Sequence, residues 1–106
     1  MSTDILRREA RLIILRFLAE QTNRTLTSTA LTVQANAMFL IGKERAWIEQ
    51  ELDYLATMGA VRLTTGGSVK IATLTPHGAR HLNWDVIIPE VMRPSERIPL
   101  PEAEGG

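Results

Sequence analysis

Two histidines and an aspartate near the end of the sequence have the spacing of metal ligands. His77, His81 and Asp85 stand at i, i+4 and i+8, which would place three metal-binding side chains on one face of a helix. The pattern requires the helix to continue past Asn83 and Trp84, and the sequence offers no second cluster of ligands to complete a catalytic centre. Two surface histidines on a short closing helix are the better interpretation, so we expect no bound metal.

The residues of covalent and redox chemistry are scarce. The sequence contains no cysteine, which excludes thiolate zinc sites, disulfides and thiol nucleophiles. It has no glycine-rich phosphate-binding loop, and Ser28 and Ser68 stand where a helix cap and a hairpin are expected. The sequence therefore predicts neither an enzyme nor a cofactor.

The overall charge gives no general attraction to nucleic acids or membranes. Twelve basic and twelve acidic residues among 106 give a formal net charge of zero, so a polyanionic partner would have to meet a local patch. The length and the 44% of hydrophobic residues fit one globular domain. The sequence shows neither a secretory signal nor an apolar run of membrane-spanning length, which favours a cytoplasmic protein.

The first helix of the sequence is apolar on two sides. Asp4 can cap a helix running to about Gln21, and one apolar stripe at helical spacing forms its core face. A second apolar stripe lies on another side, so we expect the helix to be buried twice, by its own domain and by a second copy of the chain. We assign a homodimer interface to this second stripe and to two residues of the tail: Ile5, Leu12, Leu15, Ala19, Trp84 and Ile87.

Two more helices follow. Thr27 or Ser28 can cap a short second helix through about Met38, with Leu31, Ala35 and Met38 facing inward. A third helix begins at about Glu44 and ends at a glycine suited to a left-handed cap. Its buried stripe and this glycine are Ile48, Leu52, Leu55 and Gly59.

A hairpin and a last helix complete the pattern. Residues 60–64 and 68–74 alternate between apolar and polar, and Thr65-Gly66-Gly67 joins them as a turn. Pro76 can open a short helix through Leu82. Four of the five prolines fall in the tail from Asn83, which predicts an extended arm packed on the domain or on a partner.

The order of these elements and two motifs resemble the winged helix-turn-helix superfamily. The stretch from Ile48 through Leu52 and Leu55 to Gly59 resembles a recognition helix that runs into a wing, and Leu74-Thr75-Pro76-His77-Gly78 resembles the Leu-Thr-x-x-Gly that closes many wings. The resemblance implies an α+β fold with three helices, a two-stranded β-hairpin wing and a short closing helix. The predicted domain covers residues 1–82, and residues 83–106 form an extended C-terminal arm with a disordered end. The length, the arginine-rich first helix and the proline-containing tail also resemble small winged-helix proteins of Mu-like prophages.

The superfamily resemblance implies double-stranded DNA as a partner, with the third helix in the major groove and the wing on the phosphates. The first hypothesis is a dimeric DNA-binding regulator of a phage or prophage. Glu49 and Asp53 depart from this expectation, because carboxylates on the groove-facing side repel phosphate. The predicted contacts are Lys43, Arg45, Trp47, Gln50, Arg62, Gly66, Gly67 and Lys70.

The alternative hypothesis is a protein-interaction module that does not bind DNA, because some winged helices bind proteins. The acidic face of the third helix and the zero net charge of the whole chain favour this hypothesis. On this hypothesis Trp47 and that acidic face form the interface.

Overall fold

The chain folds into helices packed around a small antiparallel sheet. The computed structural model describes residues 5–39 and 41–94. Four helices and three strands occur in this part of the chain, and the sheet order is β1-β3-β2, which confirms the α+β class. The elements are α1 (Ile5–Ala19), β1 (Thr25–Thr27), α2 (Ser28–Phe39), α3 (Arg45–Thr57), β2 (Val61–Gly66), β3 (Val69–Leu74) and α4 (Pro76–Leu82).

Local sequence signals mark several helix ends. Thr27 caps α2, since its Oγ1 accepts a hydrogen bond from the backbone N–H three residues later at 3.1 Å. Thr75 caps α4 in the same way at 3.1 Å, and Pro76 follows it at the start of the helix. Gly59 follows α3 with a φ of +79°, the left-handed conformation expected there. The cap predicted at Asp4 lies outside the described residues.

The sheet contains one strand that sequence patterning does not predict. The three residues of β1 pair with β3, with Thr25 opposite Thr73 and Thr27 opposite Ile71. A three-residue segment carries too little alternation to be recognised without its partner. The predicted two-stranded hairpin is therefore part of a three-stranded sheet.

The hairpin turn lies further along the chain than the sequence predicts. Gly66 is still within β2, where it pairs with Val69 of β3. The turn therefore consists of Gly67 and Ser68, with Gly67 at a φ of +66°. Two-residue turns of this kind fit the twist of the flanking strands better than a three-residue turn without a bulge.

The core is formed around α1, which contacts α2, α3, α4 and β3. The predicted inner stripe of α3, Ile48, Leu52 and Leu55, is buried against it. In α2 the prediction is correct for Leu31 but wrong for Met38, which is 66% exposed. Met38 lies in the last turn of α2, beyond the region that the core covers. Leu31 and Ala35 carry the inner face of α2.

The core continues beyond Leu82, where the sequence indicated that the folded part would stop. Ile88 and Val91 are each 1% exposed and belong to the hydrophobic core. We call residues 86–92 the C-terminal strap. The strap contains no helix or strand, but Met92 N donates to Arg8 O at 3.1 Å, which holds it against α1. The disorder predicted beyond about Pro99 concerns residues outside the described ones.

Candidate functional site

The outer side of α3 and the loop before it hold four of the residues predicted to contact DNA. Arg45 and Gln50 are exposed, as a groove-facing residue must be. Trp47 is half-buried and packs against the core, with the guanidinium of Arg7 5.1 Å and the ammonium of Lys43 5.6 Å from its ring centre. Both cations lie within the range of a cation–π interaction. Trp47 and Lys43 are thus engaged with other side chains of the same chain, and Trp47 is only partly accessible to a partner.

The loop between α2 and α3 is held by one amide. Asn36 Oδ1 accepts hydrogen bonds from Gly42 N at 2.8 Å and Lys43 N at 3.1 Å. Asn36 Nδ2 donates to Lys43 O at 2.9 Å. Three bonds to one side chain fix the entry of α3 relative to α2. The two helices therefore present their outer sides as one surface.

The charges on that surface are paired with one another. Arg45 Nε lies 3.6 Å from Glu49 Oε2, one helical turn away. The same carboxylate oxygen accepts a hydrogen bond from Ser28 Oγ at 2.5 Å, and Ser28 Oγ in turn accepts from Lys70 N at 3.2 Å. Ser28 is fully buried, so this chain of bonds joins α2, α3 and β3. Glu49 accordingly has a structural role at the centre of the predicted DNA face.

Lys70 forms an ion pair with a carboxylate of the facing helix α3. Its Nζ donates to Asp53 Oδ1 at 2.7 Å. This hydrogen bond raises the pKa of Lys70 above its ordinary value; partial burial acts against the shift, and the negative charges of Asp53 and Glu49 add to it. A lysine held this way remains charged but offers less attraction to a phosphate.

We expect the Lys70–Asp53 pair to contribute less than about 1 kcal/mol, because both side chains are partly exposed. A raised pKa means that this contribution is complete below the ordinary lysine pKa of 10.5 and is lost as the pH rises through the raised value. A double-mutant cycle of Lys70→Met and Asp53→Asn, measured by urea unfolding, should show positive coupling at neutral pH and none above the raised pKa. Equal coupling at the two pH values would contradict the assignment of the raised pKa to this ion pair.

The two wing cations lie on opposite faces of the sheet. Arg62 is opposite Thr73, whereas Lys70 is opposite Thr65, and cross-strand partners share a face. Because neighbouring residues alternate between faces, Arg62 points away from the side that Lys70 shares with α3. Arg62 and Lys70 therefore do not form the single basic surface that the DNA hypothesis needs.

The two glycines of the wing, Gly66 and Gly67, allow the backbone conformation and the side-chain packing of the hairpin turn. Gly67 takes the positive φ of the turn, and a Cβ there would meet no atom within 4 Å. A Cβ on Gly66 would lie 2.8 Å from Ile71 Cδ1, so the lack of a side chain leaves room for that residue. Both positions are exposed at the tip of the hairpin.

A buried ion-pair network is the main feature that the sequence interpretation missed. Glu51 is 1% exposed, accepts from Arg11 Nε at 2.7 Å and is paired with Arg7. The Arg11 guanidinium stacks on the ring of Tyr54 at 3.9 Å and donates to Glu90 O at 2.9 Å. Arg11 thus connects α1, α3 and the strap. Such a network is structural, since its polar atoms are directed at one another and not at an open site.

Two spacing signals could have indicated this network. Glu51 stands three residues after Ile48 and four before Leu55, within the buried stripe of α3 and not on its outer face. Arg7 and Arg11 are four residues apart, on one side of α1. A lone carboxylate inside an apolar stripe predicts a buried basic partner, because an unpaired buried charge is very costly.

The histidines of α4 do not form a metal site. His81 is 1% exposed, which corrects the expectation of two surface histidines. Its Nδ1 accepts from Ile88 N at 3.1 Å, so its proton lies on Nε2, which donates to Met92 O at 2.9 Å. His81 therefore uses both ring nitrogens to hold the strap. Among the described residues, no group of three histidine, cysteine or acidic side chains could hold a metal ion.

The structure divides the residues predicted for the dimer interface. Leu12 and Leu15 are completely buried within the chain, so their assignment to an interface is wrong. The middle of the second apolar stripe of α1, at Leu12 and Leu15, is covered by the chain's own elements because α1 is packed by three helices and a strand. The remaining candidates are exposed: Ile5, Ala19, Trp84 and Ile87.

A cleft opens between the outer sides of α2 and α3. It has a volume of about 480 Å³, and Val33 on its wall is 61% exposed. Glu44 and Glu49 bring two carboxylates to it, and Arg45 brings one cation. We call this site the α2–α3 cleft, and its lining is Thr29, Thr32, Val33, Glu44, Arg45, Ala46 and Glu49.

Comparisons with protein-family models, curated proteins and solved structures gave no match. Within residues 5–39 and 41–94, every helix is too short or too polar to cross a membrane. The function therefore has to be argued from the geometry of the chain itself.

Proposed function

We propose that the chain is a winged helix-turn-helix, with α2 and α3 as the helix-turn-helix and β2–β3 as the wing. The contacts of the Leu-Thr-x-x-Gly segment support this assignment. Thr75 Oγ1 donates to Gly59 O at 2.6 Å, linking the start of the wing to its end. A Cβ on Gly78 would lie 2.3 Å from Ala60 O, so only glycine fits where α4 crosses this junction. The proposed likeness to small proteins of Mu-like prophages rests on the sequence alone.

We further propose that the protein is an interaction module whose α2–α3 cleft binds a segment of another protein. The composition of the cleft carries this proposal. In a helix-turn-helix that binds DNA, this side of α2 and α3 meets the duplex. Here it presents exposed Val33, together with Glu44 and Glu49, which repel phosphate. An apolar wall rimmed by charges of both signs suits a protein side chain better than a sugar–phosphate backbone.

Direct photo-crosslinking tests the cleft as a protein-binding site. A photoreactive phenylalanine replaces Val33 in one variant and Thr64 in a matched control, and Thr64 is exposed on the hairpin. We expect a discrete protein adduct in cells from position 33 and none from position 64. Val33→Asp should then lower affinity for the identified partner about tenfold or more, because an interface centre tolerates no unpaired charge. Adducts of equal yield from both positions would contradict the proposal.

DNA binding remains the second candidate, because Arg45 and Gln50 are both exposed on the outer side of α3. These side chains can pair with guanine and adenine. Fluorescence anisotropy with random duplex DNA at two salt concentrations separates the candidates. Steeply salt-dependent binding that Arg45→Ala, Arg62→Ala or Lys70→Ala weakens would favour a DNA-binding regulator. We expect no such binding at low salt.

A further inference from the structure

A second exposed surface, separate from the α2–α3 cleft, combines apolar side chains with one cation and one carboxylate. It lies between the C-terminal half of α1 and the end of α2, and we call it the α1–α2 patch. Met38 and Phe39 on its rim are 66% and 40% exposed. The patch contains a depression of about 180 Å³ lined by Ile13, Arg16, Phe17, Glu20, Met38 and Phe39.

The depression has the size of one large side chain. A cavity of about 150 Å³ lined by aliphatic and aromatic groups holds a benzene ring. The ring of Phe39 meets that of Phe17 edge to face at 5.8 Å, which gives the depression a defined aromatic wall. A side chain able to fill it stands on its own rim, because Met38 is long, unbranched and exposed. The patch thus carries both a protruding side chain and a depression that can hold such a side chain.

The charges of the patch are also self-complementary. Arg16, in the last turn of α1, and Glu20, directly after the helix, are four residues apart, and both line the depression. A two-fold interface brings residue i of one copy against residue j of the other, and j against i. Two antiparallel α1 helices related by an axis between positions 16 and 20 would place Arg16 opposite Glu20 of the second copy, twice. An unrelated partner would need neither this charge symmetry nor the matching protrusion and depression.

We propose that the α1–α2 patch is a homodimer interface. Met38 of each copy enters the depression of the other, and Arg16 faces Glu20 across the two-fold axis. This interface replaces the predicted one, in which Leu12 and Leu15 would have made the contact. It uses a different surface from the α2–α3 cleft, so it holds whether the cleft binds protein or DNA.

Sedimentation velocity over a wide range of protein concentration tests the interface. We expect the wild-type chain to dimerise, and Met38→Asp to raise the dimer dissociation constant about tenfold or more. Arg16→Glu and Glu20→Arg should each weaken the dimer, and the double variant should restore it, because the exchanged charges again face one another. Val33→Asp, in the α2–α3 cleft, is the matched control and should leave the dimer unchanged.

Two results would overturn the dimer proposal: a wild-type chain that sediments as a monomer at every concentration, or a dimer that Met38→Asp leaves intact. Arg16 also has interactions within its own chain, so thermal unfolding is recorded for each charge variant. Met38 is exposed, so its substitution tests association even where a charge variant unfolds. The sedimentation test does not depend on what the α2–α3 cleft binds, because the two surfaces share none of their lining residues.

Discussion

Replacing Glu51 by glutamine should lower the free energy of unfolding by about 3–5 kcal/mol, the usual cost of removing one partner from a buried ion pair. Glutamine has nearly the same shape, so the packing of α3 is retained. Arg11 is left with its charge in the core and no carboxylate to balance it, since Glu90 O and the ring of Tyr54 are uncharged partners. The loss arises mainly from the uncompensated Arg11 cation and less from the bond that is removed.

Thermal and urea unfolding of the Glu51→Gln variant measure this loss. For a domain of this length, we expect the midpoint of thermal unfolding to fall by about 12 °C or more. Asp53→Asn is the matched control, because Asp53 is also a carboxylate of α3 in an ion pair but is exposed. The control should change stability by less than about 1 kcal/mol. Similar losses in the two variants would contradict the role assigned to Glu51.

Ending the chain at Leu82 should leave it largely unfolded. The truncation removes Ile88 and Val91 from the core, and burial of such side chains contributes about 1.5–3 kcal/mol each. It also removes the partners of three side chains, Arg11, Tyr54 and His81, whose bonds to the strap contribute about 0.5–1.5 kcal/mol each. Together these losses are comparable to the whole net stability of a small domain, about 5–15 kcal/mol.

Circular dichroism and amide NMR dispersion distinguish a folded from an unfolded shortened chain. A second truncation, which ends at Pro94 and keeps the strap, is the control and should fold like the full chain. If the chain ending at Leu82 gave dispersed spectra and a cooperative melt, the strap would be an appendage and not part of the core. That outcome would support the domain boundary that the sequence predicts.

The features that could be predicted from the sequence are those set by neighbours along the chain. The cap at Thr27, the helix start at Pro76 and the left-handed Gly59 depend on a few adjacent residues, and their positions are confirmed. The inner stripes of α1 and α3 are confirmed for the same reason, because helical spacing alone places them on one face.

The features that could not be predicted depend on partners far along the chain. Arg11 is buried because Glu51, 40 residues later, and Glu90, 79 residues later, meet it in space. Burial of His81 likewise depends on the strap. In the candidate site, Arg62 and Lys70 are both wing cations in the sequence, but only the strand register shows that they lie on opposite faces.

The strap also determines the order in which the molecule can be assembled. During synthesis α1 emerges before the other described elements, yet its contacts at Arg8 and Arg11 need residues that emerge some eighty positions later. Closing so long a loop is entropically costly and slows the final folding step. Until then the apolar faces of α1 stay incompletely covered, and such exposed apolar surface makes a partly folded chain prone to aggregate. The earliest of the four described helices is therefore among the last to be completed.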